Sequence, residues 1–392
     1  MNTATKQVRL KRKEEHRVLE GHPWVFSNQI EGIDGSPAAG DLVTVVSSKS
    51  TPVGTAFYNP HSLIACRILE RTGKPVDAEL IGERIRSALA LREQLYPVEH
   101  AYRVVHGEAD FLPGLIIDRY NEYLCVQTLS FGMDLRLPAI CDALEELIKP
   151  KGIIERNESP LRTLEQLPLQ KKVLRGTVDA TDITVGGIRF RINPIEGQKT
   201  GWYLDQRENR SLAARFSRGR KVLDCFCHDG GFALAAAYAG AESVLGIDSS
   251  SDAVQKARFN AELNGLPGAT FEEDDVFERL KKLIAENRRF DMIILDPPSF
   301  TRSKKNVQTA KKGYRDLHTF AMQALKPGGI LATASCSHHI RPDAFLDSIL
   351  RAAEKTGRKL QELAWQGASP DHPTLPSVPE TAYLKFGIFR AH

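Results

Sequence analysis

The sequence predicts an α/β chain: a doubly wound, Rossmann-like domain in the C-terminal half, preceded by a small β-barrel and a central α+β domain. Three observations lead there. From about residue 180 onward, apolar strand patterns alternate with helical ones, the order that builds a parallel sheet flanked by helices. The first apolar strand of that series runs into a glycine turn at Gly230-Gly231, as ligand-binding sheets of this class do. The first 70 or so residues instead hold short apolar runs parted by glycines, a pattern of small all-β units. The predicted boundaries are 1–72, 73–180 and 181–392.

With 392 residues the chain exceeds what one core organises, so several domains are expected. A formal net charge of +4 only hints at a polyanionic partner. Six scattered cysteines read as reduced thiols of a cytosolic protein rather than a disulfide framework. The basic N-terminus has no apolar run behind it, and no stretch of about 20 apolar residues occurs anywhere. The expectation is a soluble, cytoplasmic protein without a membrane partner.

In order along the chain, residues 41–46 and 62–69 read as barrel strands, with Gly32, Gly35, Pro37 and Gly40 in the turns between. The opening stretch carries Lys6, Arg9, Lys11, Arg12, Lys13 and Arg17 against Glu14, Glu15 and Glu20. A solvated surface strand explains it; phosphate contact is the sharper alternative. A helix is predicted over 77–95, a hairpin with strands at 115–120 and 123–129 around Asn121-Glu122, and a helix over 135–148. Gly186-Gly187 supplies the positive φ angles of a tight hairpin turn within 182–192. Strands are then predicted at 221–226, 243–248, 269–274, 290–296, 329–336, 359–365 and 381–389. Helices are predicted at 231–239, 252–264, 276–287, 311–325 and 342–356.

Three strand ends make a candidate cofactor site. Val222-Leu-Asp-Cys-Phe-Cys-His-Asp-Gly-Gly231 is a strand running into a glycine turn, where Gly230 lets backbone approach a ligand and opens a helix N-terminus. Asp248, 18 residues beyond Gly230, ends a buried strand with a carboxylate suited to ribose hydroxyls; Ser249 follows it. Asp275 sits where it can receive an adenine amino group, with Val276 against the ring. The loop lacks the G-x-G-x-x-G spacing that seats a pyrophosphate, and Asp224 and Asp229 would repel phosphate. They suit the sulfonium and amino group of S-adenosylmethionine, so methyl transfer is preferred to hydride transfer. Cys225 and Cys227 could in principle ligate metal, but no second pair at suitable spacing exists. Core thiols are the better reading, and no metal is expected.

The candidate target site follows the fourth strand, at Asp296-Pro-Pro-Ser-Phe300. A carboxylate, fixed φ angles at Pro297 and Pro298 and the aromatic face of Phe300 suit an incoming planar base. Arg302, Lys304, Lys305, Lys311, Lys312 and Arg315 come next with no acid among them through residue 315. A solvated loop is the ordinary explanation, but beside a base-binding turn phosphate steering is preferred. Cys336, in Ala334-Ser-Cys-Ser-His-His339, ends the fifth strand. A thiolate there could add to carbon 6 of cytosine and so activate carbon 5, with Asp296 hydrogen-bonded to the base at N3. A buried thiol is the alternative; the flanking Ser335, Ser337, His338 and His339 suggest a polar, accessible setting. His338 or His339 is a candidate proton-abstracting base.

With these motifs the chain resembles the bacterial ribosomal RNA large subunit methyltransferase I family, over nearly its whole length. His22-Pro-Trp-Val-Phe26 looks like that family's RNA-binding PUA domain, and Gly107-Glu-Ala-Asp-Phe-Leu-Pro-Gly114 like its central domain. Lys199-Thr-Gly-Trp-Tyr-Leu-Asp-Gln-Arg207 resembles a distinctive family segment; the resemblance implies that Thr200, Tyr203, Gln206 and Arg207 help hold the cofactor. It also implies a class I methyltransferase domain, with Asp224, Phe226, Gly230, Asp248, Ser249, Asp275, Val276, Asp296 and Pro297 at S-adenosylmethionine. Cys336 would be the nucleophile and Pro298, Phe300, Arg302, Lys304 and Lys305 would meet the RNA. Ser299 replaces a lysine of familiar members, His338-His339 replaces smaller residues, and no second cysteine lies beside the Asp-Pro-Pro turn.

The expected activity is therefore methylation of cytosine carbon 5 in large-subunit ribosomal RNA. Methylation of an exocyclic base nitrogen and a non-catalytic RNA-binding assembly factor remain as alternatives. A homodimer is left open.

Overall fold

The computed structural model describes residues 6–197, 200–301 and 304–392, apart from the side chain of Lys304. The chain forms two compact units. One holds Met1–Ile183, Ile192–Leu204 and Pro370–Thr381; the other holds Thr184–Arg191, Asp205–Ser369 and Ala382–His392.

In the first unit, six strands lie in the order Trp24–Phe26, Ile64–Glu70, Pro52–Tyr58, Leu42–Val46, Gln7–Leu10 and Ile30–Asp34. Their inward residues, among them Val8, Leu10, Val25, Val43, Val45, Cys66 and Ile68, form one apolar core. A second sheet of five strands runs Gln170–Gly176, Gly152–Asn157, Tyr123–Thr128, Leu115–Tyr120 and Ala101–His106. The hairpin around Asn121 forms as the sequence predicts, with Asn121 taking φ 55°, a left-handed conformation that asparagine tolerates. Helix Ala78–Leu95 begins at Asp77, whose carboxylate accepts from the Leu80 amide at 3.0 Å. Segment 370–381 joins this unit through fully buried Arg92, which donates to both Asp110 oxygens at 2.6 and 2.7 Å and to the Asp371 carbonyl at 2.8 Å.

The second unit contains the Rossmann-like sheet, with strands β1 (Lys221–Cys225), β2 (Ser243–Asp248), β3 (Ala269–Glu273), β4 (Phe290–Leu295), β5 (Leu325–Ser335), β6 (Leu360–Gln366) and β7 (Lys385–Ala391). Helices are α1 (Arg207–Ala214), α2 (Gly231–Tyr238), α3 (Ser251–Leu263), α4 (Val276–Ala285), α5 (Val307–Ala324) and α6 (Pro342–Thr356). The sheet order is β3-β2-β1-β4-β5-β7-β6. The strands β1 to β5 run parallel, while β7 is antiparallel to both β5 and β6. Strands buried on both faces need continuous apolar runs; Leu223, Leu245, Ile247, Ile293, Leu295 and Leu331 supply them to one core with Leu280, Leu317 and Phe345 of the helices. The strand order reverses between β1 and β4, which opens a crevice at their carboxyl ends.

Three predicted boundaries move. β5 begins at Leu325 rather than 329, because Leu325 already pairs with Phe290 of β4 and Lys326-Pro-Gly-Gly329 bulges out, with Gly328 at φ 75°, before pairing resumes at Ile330. β7 begins at Lys385 rather than 381, since Pro379–Thr381 forms a single tight turn. α5 begins at Val307 rather than 311: Ala310, Tyr314, Leu317 and Ala321 form a buried stripe at helical spacing. The basic run is thus not one loop, because Lys311, Lys312 and Arg315 stand on α5.

Candidate active site

The chain leaves β1 through a tight turn in which Phe226, His228 and Gly230 have φ angles of 64°, 50° and 88°. For phenylalanine and histidine a left-handed backbone costs roughly 1–2 kcal/mol, strain that clusters at ligand clamps. The turn delivers Gly231 to the start of α2, where an added Cβ would stand 2.6 Å from Arg210 Nε. Glycine thus admits the α1 guanidinium, which is nearly buried and has Cζ 5.9 Å from the centre of the Phe232 ring. Burial lowers the Arg210 pKa, while Asp229, Asp296, Asp205 and Asp224 act in the opposite direction.

Asp224 is fully buried on β1. Its Oδ2 accepts from the Ala233 amide at 2.8 Å, and its Oδ1 has no hydrogen-bond partner. Burial, followed by the nearby Asp296, holds its pKa well above the usual carboxylate range. An enclosed acceptor left unsatisfied is costly, on the order of 1–3 kcal/mol, and a cationic donor would relieve it. This fits the amino and sulfonium end expected of S-adenosylmethionine. Cys225 and Cys227 are core thiols, with pKa values pushed well up by burial.

The other strand ends supply more polar groups. Asp248 Oδ2 accepts from the His228 amide and Oδ1 from the Ser250 amide, both at 2.9 Å. That fixes a carboxylate at the end of β2, with exposed Ser249 beside it. Asp275 Oδ1 caps α4 by accepting from the Glu278 amide at 3.0 Å. Val276 is only 2% exposed and belongs to the core rather than standing as a free side chain.

Of the residues implied by the Lys199–Arg207 resemblance, Lys199 lies outside the described residues, and Thr200 and Tyr203 belong to the first unit. The buried Thr200 hydroxyl donates to Asp118 within that unit. Gln206 and Arg207 belong to the second unit, both 3% exposed. Gln206 Nε2 donates to Asp296 Oδ1 at 2.9 Å, and Gln206 Oε1 accepts from Asn209 Nδ2 at 2.5 Å.

Asp296 follows β4, and its amide donates to the Cys225 carbonyl at 3.3 Å, which closes the β1–β4 switch point. Pro297 is buried and Pro298 exposed. Phe300 is half-buried rather than a bare face: its ring lies 4.6 Å from that of Tyr314 and 6.3 Å from that of Phe277, contacts each worth about 1 kcal/mol. Lys305 is exposed; Arg302 lies outside the described residues, as does the Lys304 side chain.

Cys336 comes directly after β5 and is partly exposed, while the other five cysteines are buried. Ser335 and Ser337 are fully buried, not accessible as the sequence suggested. The Ser335 hydroxyl donates to Tyr314 Oη at 2.9 Å, and Ser337 Oγ lies 3.1 Å from both Tyr314 Oη and Ser299 Oγ. Tyr314 therefore brackets the cysteine from α5, and burial pushes its own pKa up to about 12. His338 is exposed overall, yet its ring is crowded 5.6 Å from that of Tyr383. Desolvation first, then Lys385 and His339, lower its pKa.

Sequence reasoning missed Arg210, Tyr314 and Lys385. Arg210 follows Arg207 by one helical turn, which puts both on one face of α1, and Lys385 is a lone charge inside the apolar Leu384-Lys-Phe-Gly-Ile-Phe389 run. Those were the available signals.

The model of a PUA-like domain matches residues 8–71, and that of an S-adenosylmethionine-dependent methyltransferase matches residues 171–390. A ribosomal RNA large subunit methyltransferase I from Tolumonas auensis is 37% identical over 98% of this chain and 99% of its own. One of the same name from Shewanella denitrificans is 38% identical over 97% of this chain and 98% of its own. A solved SAM-dependent methyltransferase from Streptococcus mutans shares the fold with a TM-score of 0.84 at 20% identity, over 98% of this chain and 99% of that one. A methyltransferase solved in complex with SAH reaches a TM-score of 0.86, also at 20% identity, with the same coverage. S-adenosylmethionine is therefore the cofactor, and the chain belongs to the ribosomal RNA large subunit methyltransferase I family.

Proposed function

We propose that this enzyme methylates carbon 5 of a cytosine in large-subunit ribosomal RNA through a transient covalent bond to Cys336. The observation that carries the reading is the setting of Cys336. It is the one partly exposed thiol of six, one strand from Asp296 at the carboxyl edge of the sheet, with β4 and β5 paired through Leu295 and Thr333.

S-adenosylmethionine supplies an electrophilic methyl group on a sulfonium. Asp224 Oδ1, Asp248 and the strained 226–230 turn are the groups assigned to hold it, with Gln206, Arg207, Ser249, Asp275, Val276 and Pro297 around them. Thr200 and Tyr203 join that assignment from the family resemblance alone. Asp296, oriented by Gln206, takes up a proton as the flipped base binds and donates it in a hydrogen bond to N3. The Cys336 thiolate adds to carbon 6, and the displaced electron pair makes carbon 5 the nucleophile that would take the methyl, the methyl–sulfur bond breaking to leave S-adenosylhomocysteine. His338, held neutral by its lowered pKa, accepts the carbon 5 proton; the carbon 6–sulfur bond then breaks and returns the thiolate.

Pro298, Phe300, Arg302, Lys304 and Lys305 are assigned to the RNA side. Residues 1–72 are read as the barrel that grips RNA, 73–180 as a central domain and 181–392 as the catalytic domain. Such a substrate places the enzyme in the cytoplasm, and among the described residues no helix is long and apolar enough to cross a membrane.

The test is nucleoside mass spectrometry of ribosomal RNA methylated in vitro. Label in 5-methylcytidine, lost in Cys336→Ala while cofactor binding survives, is the expected result. Label in a base-nitrogen product, or a fully active Cys336→Ala, overturns the reading.

A further inference from the structure

A lysine inside a sheet is expensive to bury. Lys385 opens β7 opposite Ser335 of β5 and is only 4% exposed. Its ammonium donates to the carbonyl of Ser337, the residue after Cys336, and to the carbonyl of Tyr383, both at 2.8 Å. Both partners are acceptors, so the site holds Lys385 as a donor. An ammonium has three N–H groups, and these carbonyls occupy two.

We propose that Lys385 is a positioning residue for Cys336: it pins the backbone that carries the cysteine and lends positive potential to its sulfur, favouring the thiolate. The proposal rests on the reading of Cys336 as the nucleophile. A thiol beside a lysine ionises more readily than an ordinary one, and a covalent mechanism needs the thiolate. Tyr314 approaches from α5 with its hydroxyl protonated, Asp296 stands at the end of β4, and His338 and His339 follow on the same loop. Tyr383 precedes β7 and donates to Asp205 Oδ2 at 2.6 Å. The acids among these oppose a thiolate, and the buried Lys385 ammonium favours one. Burial pushes the Lys385 pKa down to about 8, and interaction with Cys336 works in the opposite direction; by reciprocity the lysine favours a charged sulfur.

The experiment is the pH profile of Cys336 alkylation by iodoacetamide on the full chain, followed by mass spectrometry of the Cys336 peptide. In the wild type the profile should show a pKa below the usual thiol value of about 8.5. Lys385→Gln keeps donors for both carbonyls without the charge. It should raise that pKa by about one unit and slow alkylation about tenfold at neutral pH, while S-adenosylmethionine binding is retained. Lys385→Arg should restore most of the wild-type profile. A glutamine variant that binds cofactor and alkylates with the wild-type profile overturns the inference. Should that variant fail to fold, the wild-type profile decides alone, since a pKa at or above the ordinary thiol value also overturns it. Failure of the nucleophile reading shows separately, as undiminished turnover in Cys336→Ala.

Discussion

Gln206 Nε2 donates to Asp296 Oδ1 at 2.9 Å, tying the start of α1 to the end of β4. The amide is itself oriented, because Gln206 Oε1 accepts from Asn209 Nδ2, and Asn209 Nδ2 also reaches the Gly367 carbonyl at 3.1 Å. Gln206 can therefore present only its nitrogen to Asp296. Gln206→Glu would set two carboxylates against each other and should be worse than Gln206→Ala. A hydrogen bond to a charged group is worth about 1.5–3 kcal/mol, so Gln206→Ala should lose roughly 10- to 100-fold in kcat/KM. Steady-state methylation kinetics check it, and a glutamate variant more active than the alanine variant would contradict this account of Asp296.

Asp224 makes the ligand-free protein sensitive to pH. Its folded pKa is raised above the unfolded value, so between the two the folded state binds more protons than the unfolded state. By linkage, stability then falls as pH rises above the ordinary carboxylate pKa, until Asp224 ionises in the folded protein. Asp224→Asn removes that contribution and should flatten the pH dependence of ligand-free denaturation midpoints. The same variant should bind S-adenosylmethionine at least about tenfold more weakly, the loss of one charge-assisted contact. Urea titrations across pH, with calorimetry of cofactor binding, read both effects.

Gly231 is matched to Arg210. In a helix, Gly→Ala ordinarily gains about 1 kcal/mol, but here the new methyl meets Arg210 Nε at 2.6 Å inside the core. Overpacking of that kind costs about 1–3 kcal/mol, so Gly231→Ala should be net destabilising despite its helix propensity. In an Arg210→Ala background the clash is gone and the glycine substitution should become stabilising. A double-mutant cycle in denaturant measures the coupling; additive changes would mean the two residues do not meet.

What the sequence made legible followed from local pattern. Alternating strands and helices announced the sheet, and the strand ends at Asp224, Gly230, Asp248 and Asp296 announced its crevice, because both are written in contiguous residues. What it hid depends on partners far along the chain. Arg210 reads as one of several arginines until the fold sets it beside Gly231, and Lys385 gains its meaning from a carbonyl 48 residues away. The polar flanks Ser335 and Ser337 suggested exposure. They are buried because Tyr314, more than 20 residues upstream, satisfies them, and no local rule predicts such a partner. The onset of α5 at Val307 was missed because its first turn, Val307-Gln-Thr-Ala310, offers one strongly apolar residue and no capping side chain, so local pattern starts the helix one turn late.

Tyr314 yields the last prediction. Its hydroxyl accepts from Ser335 and pairs with Ser337, so one atom holds the residues on both sides of Cys336. Tyr314→Phe keeps the ring against Phe300 and Phe345 and removes only that atom, leaving buried Ser335 and Ser337 to find other partners. Unsatisfied buried hydroxyls cost on the order of 1–3 kcal/mol, so the denaturation midpoint should fall without loss of the fold. Asp224, Asp248 and Asp275, the acids assigned to hold the cofactor, sit on or just after β1, β2 and β3, away from this bracket, so S-adenosylmethionine affinity should be unchanged. The turnover number should fall about tenfold or more, because a nucleophile displaced by a fraction of an ångström loses its alignment. Calorimetry of cofactor binding beside single-turnover methylation separates the two. Equal losses in binding and rate would show that Tyr314 supports the domain as a whole rather than the placement of Cys336.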